Sequence, residues 1–206
     1  TVNKWIVGET VKAGAAITEA IEAFKFNDAA DIAYHFTWHT YCDWYVELIK
    51  PVFFGNDEVA AEEIRACAAW ALGQILHLLH PFMPYVTEEL WGKLRDDSPD
   101  PNSKTQDLIV SNWPDASALT IDNNAATEMD WVIRLVSEIR SIRAEMNIPV
   151  SSKMAAKLVG GFAETQVRLA THASLICRLG RLESIDLADR SPAGAVQVVV
   201  DEATVA

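Results

Sequence analysis

The sequence predicts a mostly α-helical fold, an antiparallel helical bundle of residues 1–149 followed by a small C-terminal α/β subdomain of residues 150–206. Three observations carry this. Apolar residues recur every three or four positions through the first 95 residues, the period of one helix face. After Pro149 the period shortens to that of strands, in the order β-α-β-β. Between the helical stretches, residues 96–124 are rich in Asp, Pro, Ser and Asn and read as a loop.

The first helix is written in Trp5, Ile6, Ala16, Ile17, Ala20, Ile21 and Phe24, and ends near Phe26. Asn27 or Asp28 can cap a second, running to about Lys50, where Pro51 is expected to stop it. On it Tyr34, Trp38, Tyr41, Tyr45 and Leu48 fall within one arc, which predicts packing into the core. A stacking platform for unpaired bases is the alternative for Trp38, Tyr41 and Tyr45. A third helix, capped by Asn56 or Asp57, runs to Leu79 and is broken by His80-Pro81-Phe82-Met83-Pro84. Pro84 suits the first turn of a short helix through Leu94, with Glu88 and Glu89 near its positive end. From Ala125 to Met146 a further helix places Met129, Val132, Leu135, Val136, Ile139 and Ile142 on one face. Residues 154–159, 182–187 and 196–200 read as strands, with a helix over about 164–179 between the first two.

Half of the 206 residues are hydrophobic, which excludes global disorder. Cys42, Cys67 and Cys177 are odd in number, widely spaced and set in apolar helical contexts, the pattern of buried free thiols in a reducing compartment. No apolar run reaches the roughly 20 residues of a membrane span and no signal peptide opens the chain, so a cytoplasmic location without membrane contact is expected. The opening Thr1-Val2-Asn3, already in a helical pattern and without a methionine, is expected of a piece of something longer. A net charge of −12 argues against a general nucleic-acid binder. The charge is uneven: residues 1–133 hold 8 basic and 21 acidic residues, residues 134–206 hold 9 and 8.

No constellation for catalysis is visible. His35 and His39 have the i,i+4 spacing of a helical metal pair but lack the glutamate of a zinc-protease helix, and no metal is expected there or at His77 and His80. Gly160-Gly161 reads as a tight β-to-α turn, because a phosphate loop needs more glycines and a Lys-Ser/Thr. Arg143 falls near the centre of an apolar arc and Asp43 lies among aromatic side chains, so each needs a partner. An Asp43–Arg143 ion pair tying the second helix to the last is the expectation, with an RNA contact the alternative for Arg143. His39, Asp43, Val46 and Lys50 share a narrow strip of the second helix, and a small apolar residue beside a lysine suits a groove wall that touches a base and a phosphate.

Several segments resemble the anticodon-binding helical bundle of valyl-tRNA synthetases, in the right order. They are Asn3-Lys4-Trp5-Ile6, Phe26-Asn27-Asp28-Ala29-Ala30, Trp38 through Pro51, and Leu79 through Trp91. Trp113-Pro114 and Ile139 through Pro149 complete the set. Cys42-Asp43-Trp44-Tyr45 together with Arg143-Ala144-Glu145-Met146-Asn147-Ile148-Pro149 is specific to the valyl branch. Val150 in place of a second proline, and His39-Thr40-Tyr41 in place of an acidic-aromatic pair, are the departures. The resemblance implies a fragment of a class I synthetase that activates valine with ATP, transfers it to tRNA(Val) and edits mischarged threonyl-tRNA. It implies no catalytic site and no cofactor in the fragment, ATP belonging to the full-length enzyme, whose members are usually monomeric. The implied partner is the anticodon arm of tRNA(Val). Val46 is the contact residue the resemblance points to, with Lys50, Lys4 and Arg140 following by proximity of pattern. The competing readings are a helical protein-interaction or scaffolding domain, for which the acidic surface is natural, and the equivalent domain of isoleucyl-tRNA synthetase.

Overall fold

The computed structural model describes residues 1–96, 106–115 and 119–206, which form two compact units, residues 1–126 and 127–206. The first is a helical bundle of α1 (Val2–Glu22), α2 (Phe26–His35), a π-helical segment (Phe36–Tyr45), α3 (Val46–Phe53), α4 (Glu58–Leu79) and α5 (Pro84–Asp96), followed by a 3-10 turn (Leu108–Val110). α1 packs on α2, on the π-helical segment and on α4, and α4 packs on α5. Trp5, Ile6, Ala13, Ile17 and Ala20 of α1 and Ala61, Ala71, Ile75, Leu76 and Leu78 of α4 are buried. Asp57 starts α4 by accepting a hydrogen bond from the Ala60 amide at 3.0 Å. Gly73 lets α4 and α5 close up, since a Cβ there would stand 3.5 Å from the Trp91 ring. Glu88 accepts the Leu108 and Ile109 amides at 2.7 and 3.0 Å, satisfying the free donors of the 3-10 turn. Trp113 donates its indole N–H to the Thr18 hydroxyl at 2.8 Å, so these described parts of the 96–124 stretch are fastened to the bundle.

Two sequence expectations are corrected here. Pro51 does not stop a helix: it lies inside α3, which runs on to Phe53. Being in the last turn, it removes one i→i−4 bond just before the chain would leave the helix anyway. The aromatic arc is also split. Tyr41, Tyr45 and Leu48 are buried, whereas Tyr34 and Trp38 are 54% and 53% exposed. The cause is the change of hydrogen-bonding register between Phe36 and Tyr45 from i→i+4 to i→i+5. Buried positions run Ala29, Ala33, Phe36, Tyr41, Tyr45, and the step of five after Phe36 brings Tyr41 and Tyr45 onto the buried face, while Tyr34 and Trp38, two residues either side of Phe36, lie away from it.

The second unit contains most of α6 (Asn123–Glu145), then β1 (Met154–Gly160), α7 (Ala163–Gly180), β2 (Leu182–Ala188), β3 (Val198–Val200) and β4 (Ala203–Val205). The sheet order is β2-β1-β4-β3. β1 and β2 are parallel and joined through α7, as a parallel pair requires. β4 runs antiparallel to both β1 and β3, with Leu158 opposite Val205 and Val200 opposite Ala203. The last strand has no sequence counterpart, because three residues are too few to show a period. The compact units divide after Ala126, not after residue 149. α6 joins the β3–β4 turn through an Arg134–Asp201 ion pair at 2.7 Å and approaches the end of α7 through Ile139, which would lie 3.2 Å from a Cβ on Gly180. No helix among the described residues is long and apolar enough to cross a membrane.

Lys157 and Asp186 face each other across β1 and β2 at 2.9 Å, and this hydrogen-bonded ion pair holds the Asp186 carboxyl below its usual range. The Thr165 hydroxyl does the same for Glu202. A carboxyl with a folded value below its unfolded one, about 4, adds stability that is complete above that value and lost as pH falls through the folded value. The melting temperature should therefore decline as pH is lowered from about 5 towards about 2, and Asp186→Asn should flatten part of that decline. Gly161 sits at φ +86°, and a Cβ at this position would come within 2.8 Å of Thr165 Cγ2. Gly161→Ala should therefore destabilise the chain by roughly 1–3 kcal/mol in a denaturant titration.

Candidate nucleic-acid interface

The aromatic segment is built by phenols that bury their rings and keep their hydroxyls paired. Tyr41 and Tyr45 lie with ring centroids 5.5 Å apart. Tyr41 donates to the Ala68 carbonyl at 3.0 Å, and Tyr45 donates to Asn3 Oδ1 at 3.1 Å. Burial pushes Tyr41 up to about 12 and raises Tyr45 further, so both stay protonated donors at neutral pH. Asn3 also donates to Glu63 at 3.1 Å, and its carbonyl receives the Cys67 thiol at 3.9 Å. One residue at the start of α1 thus touches both the π-helical segment and α4. No periodicity marks Asn3, and sequence reasoning gives it no role.

The residues expected to meet RNA are placed as follows. Val46 is half-buried at the first position of α3, directly after Tyr45, and Lys50 is half-buried one turn on. The Lys50 ammonium pairs with Glu47. Lys4, next to Asn3, is exposed and pairs with Asp122 at 3.0 Å. The Ala125 amide, and then Lys4, hold the Asp122 carboxyl below its usual range. A cavity of about 760 Å³ opens there, lined by Asn3, Lys4, Glu63, Cys67, Asp122 and Asn123 among others. Arg140 belongs to the second unit, where it is exposed and its Nε donates to the Leu179 carbonyl at 3.0 Å. Outside the four expected residues, Tyr34, His35 and His39 form an exposed ring cluster with centroids 5.1–5.8 Å apart. Together with Trp38 they are the flat surfaces that this stretch of helix offers to solvent.

The expected Asp43–Arg143 pair is corrected. Asp43 is exposed and paired with His39 Nδ1 at 3.1 Å. Arg143 is buried, and its guanidinium donates to the carbonyls of Arg181, Pro149 and Ser152 at 3.3, 3.1 and 2.7 Å. Each group is satisfied inside its own unit. Main-chain carbonyls exposed by the turn after α6 replace the carboxylate that sequence reasoning supplies.

The three thiols are not buried as expected, Cys42 being exposed and Cys67 and Cys177 half-buried, and partial desolvation, first of all, raises each above its ordinary value. His35 pairs with Asp31 at 3.5 Å, and His77 Nδ1 contacts the Gly73 carbonyl at 2.8 Å. Among the described residues no group of three or more His, Cys, Asp or Glu side chains could hold a metal ion. What the first unit does offer is a rigid helical wall with a half-buried aliphatic residue, a nearby lysine and exposed rings, which suits contact with splayed bases.

Comparison with known proteins agrees with this chemistry. Residues 3–159 match the family described as the anticodon-binding domain of tRNA ligase. The chain is 49% identical over 203 residues to a valine--tRNA ligase of Caulobacter vibrioides, covering 98% of this chain and 22% of that protein. It is 47% identical to the valine--tRNA ligase of Rhizobium meliloti and 46% to that of Agrobacterium fabrum, covering 99% and 100% of this chain and 21% of each relative. The chain therefore spans about a fifth of the length of the curated relatives it matches.

The split of the aromatic segment into buried and exposed rings has a direct test. Tyr45→Ala should cost about 3–5 kcal/mol of stability, as large buried rings do, and Tyr45→Phe about 1 kcal/mol through the lost hydroxyl. Trp38→Ala should stay within about 0.5 kcal/mol of the parent chain. Equal losses at Tyr45 and Trp38 in chemical denaturation would contradict the register described.

Proposed function

Because the chain belongs to the family of anticodon-binding domains of tRNA ligases, we propose that it is the anticodon-binding part of a valine--tRNA ligase and that its partner is the anticodon arm of tRNA(Val). The observation that carries this reading is the identity of 46–49% to valine--tRNA ligases, which runs over almost the whole chain and not over one motif. Val46 supplies apolar contact to a base, and Lys50 and Lys4 supply charge to neighbouring phosphates. Activation of valine with ATP, transfer to tRNA and editing of threonyl-tRNA then belong to parts of the enzyme other than these 206 residues, and the working compartment is the cytoplasm.

The physical case is one of local against mean charge. The chain is acidic overall, so long-range attraction to RNA is weak and specificity must come from short-range contacts. Lys4 and Lys50 are each paired with a carboxylate in the free chain. Both pairs are solvent-accessible and weak, so a phosphate can displace the carboxylate at small expense.

Titration of the chain with tRNA carrying a valine anticodon and with a mismatched tRNA, at low salt, tests the proposal. The matched tRNA should bind about tenfold or more tightly, the equivalent of roughly 1.4 kcal/mol. Val46→Asp should abolish the preference, and Lys50→Ala should lower the slope of log affinity against log salt by roughly 0.7. Equal binding of both tRNAs at every salt concentration would instead favour a protein-interaction role for the acidic surface.

A further inference from the structure

In the second unit, the end of α6 and the C-terminal turn of α7 enclose a pocket of about 280 Å³. Arg140, Arg143 and Arg181 line it, and the remainder of the lining among the described residues is aliphatic or glycine, with no carboxylate. Arg143 is 8% exposed, yet its NH1 and NH2 groups meet only main-chain carbonyls. Arg181 donates to the Val150 carbonyl at 3.1 Å, and its main chain takes the left-handed conformation (φ 55°) that ends α7. Among the described residues neither Arg143 nor Arg181 forms an ion pair with Asp or Glu.

Carbonyl dipoles and the negative end of α7 orient these guanidinium groups, but they carry no net charge to match them. A cation taken out of water without an anion is unfavourably placed, and it gains most from an anion that can enter beside it. Arg143 keeps its Nε–H without an acceptor among the described residues. Both Nη2 hydrogens of Arg143 are donated to carbonyls, so it offers single N–H contacts, whereas the fork of the exposed Arg181 fits the oxygens of a phosphate in two-point fashion and the aliphatic wall excludes competing water.

We propose that this arginine pocket binds a phosphate group, and that its physiological occupant is a backbone phosphate of the bound RNA. The choice of occupant rests on the RNA-binding reading above, whereas the affinity for phosphate does not. Arg143 is already fixed by three carbonyls and acts as the buried base of the site, with Arg181 closing over the phosphate from the end of α7.

Two measurements on the 206-residue chain separate these parts. The first follows the arginine Nε–H signals of the ¹⁵N-labelled chain during titration with inorganic phosphate, using chloride at the same ionic strength as the control. Arg143 and Arg181 should shift with phosphate and not with chloride, and Arg181→Gln should weaken phosphate binding about tenfold. No phosphate-dependent shift at Arg143 would overturn the pocket whatever tRNA does. The second compares the salt dependence of tRNA binding for the parent chain and Arg181→Gln. A backbone contact predicts that the variant binds matched and mismatched tRNA more weakly by the same factor, with a slope smaller by about 1. An unchanged slope alongside intact phosphate binding would overturn the RNA occupant in favour of a free phosphate compound. Failure of the parent chain to bind any tRNA would sink the proposed function and, with it, the RNA occupant, leaving the phosphate titration to judge the pocket alone.

Discussion

The first unit depends on the hydrogen bond from Tyr45 to Asn3 and on what surrounds it. Asn3 bonds Tyr45 on one side and Glu63 on the other, and its carbonyl receives Cys67. α1, the π-helical segment and α4 are thereby fixed against one another at a single residue. The residues proposed for RNA contact are chain neighbours of this junction: Lys4 follows Asn3, and Val46 follows Tyr45. Buried rings and paired hydroxyls set the position of that surface, so the aromatic content of the segment serves the bundle first and recognition second. An α-helical register would have spread the same rings around the helix differently. The i→i+5 register brings Tyr41 and Tyr45 round to the face of Phe36, while Tyr34 and Trp38, two residues either side of Phe36, face solvent.

The helical part of the fold is legible because long amphipathic segments repeat their signal. α1, α4 and α6 each span more than twenty residues and show the apolar step of three or four throughout. The split arc is not legible in the same way. A period of 3.6 describes most of residues 28–50, and only the step of five between Phe36 and Tyr41 hints at another register. Pro51 misleads because its stop signal is strong in mid-helix and nearly harmless in a last turn. The sheet is found in outline, since residues 154–159 and 182–187 show strand composition, but β4 is too short to register.

For the site, residue types are readable and partners are not. Val46, Lys50, Lys4 and Arg140 stand out by resemblance and by position on a strip, and nothing in their residue types announces Glu47, Asp122 or the Leu179 carbonyl as neighbours. The Asp43–Arg143 pair fails for an instructive reason. A buried arginine announces in sequence that it needs acceptors, and a carboxylate is the acceptor a sequence displays. Carbonyl groups freed where a helix ends are equally good acceptors and leave no mark in the residue types. Sequence reasoning sees side chains, and here the main chain of residues 149–152 does much of the accepting.

Trp5 and Trp131 are both buried, and the indole N–H of each finds no acceptor among the described residues. One belongs to the first unit and the other to the second. An indole in so apolar a setting emits at shorter wavelength than an indole in water, which makes the pair a built-in optical reporter. Trp131 is the one tryptophan of residues 127–206, and the other six of the chain lie in residues 1–126, so a Trp131→Phe chain reports on the first unit alone and its difference from the parent isolates the second without attaching a dye.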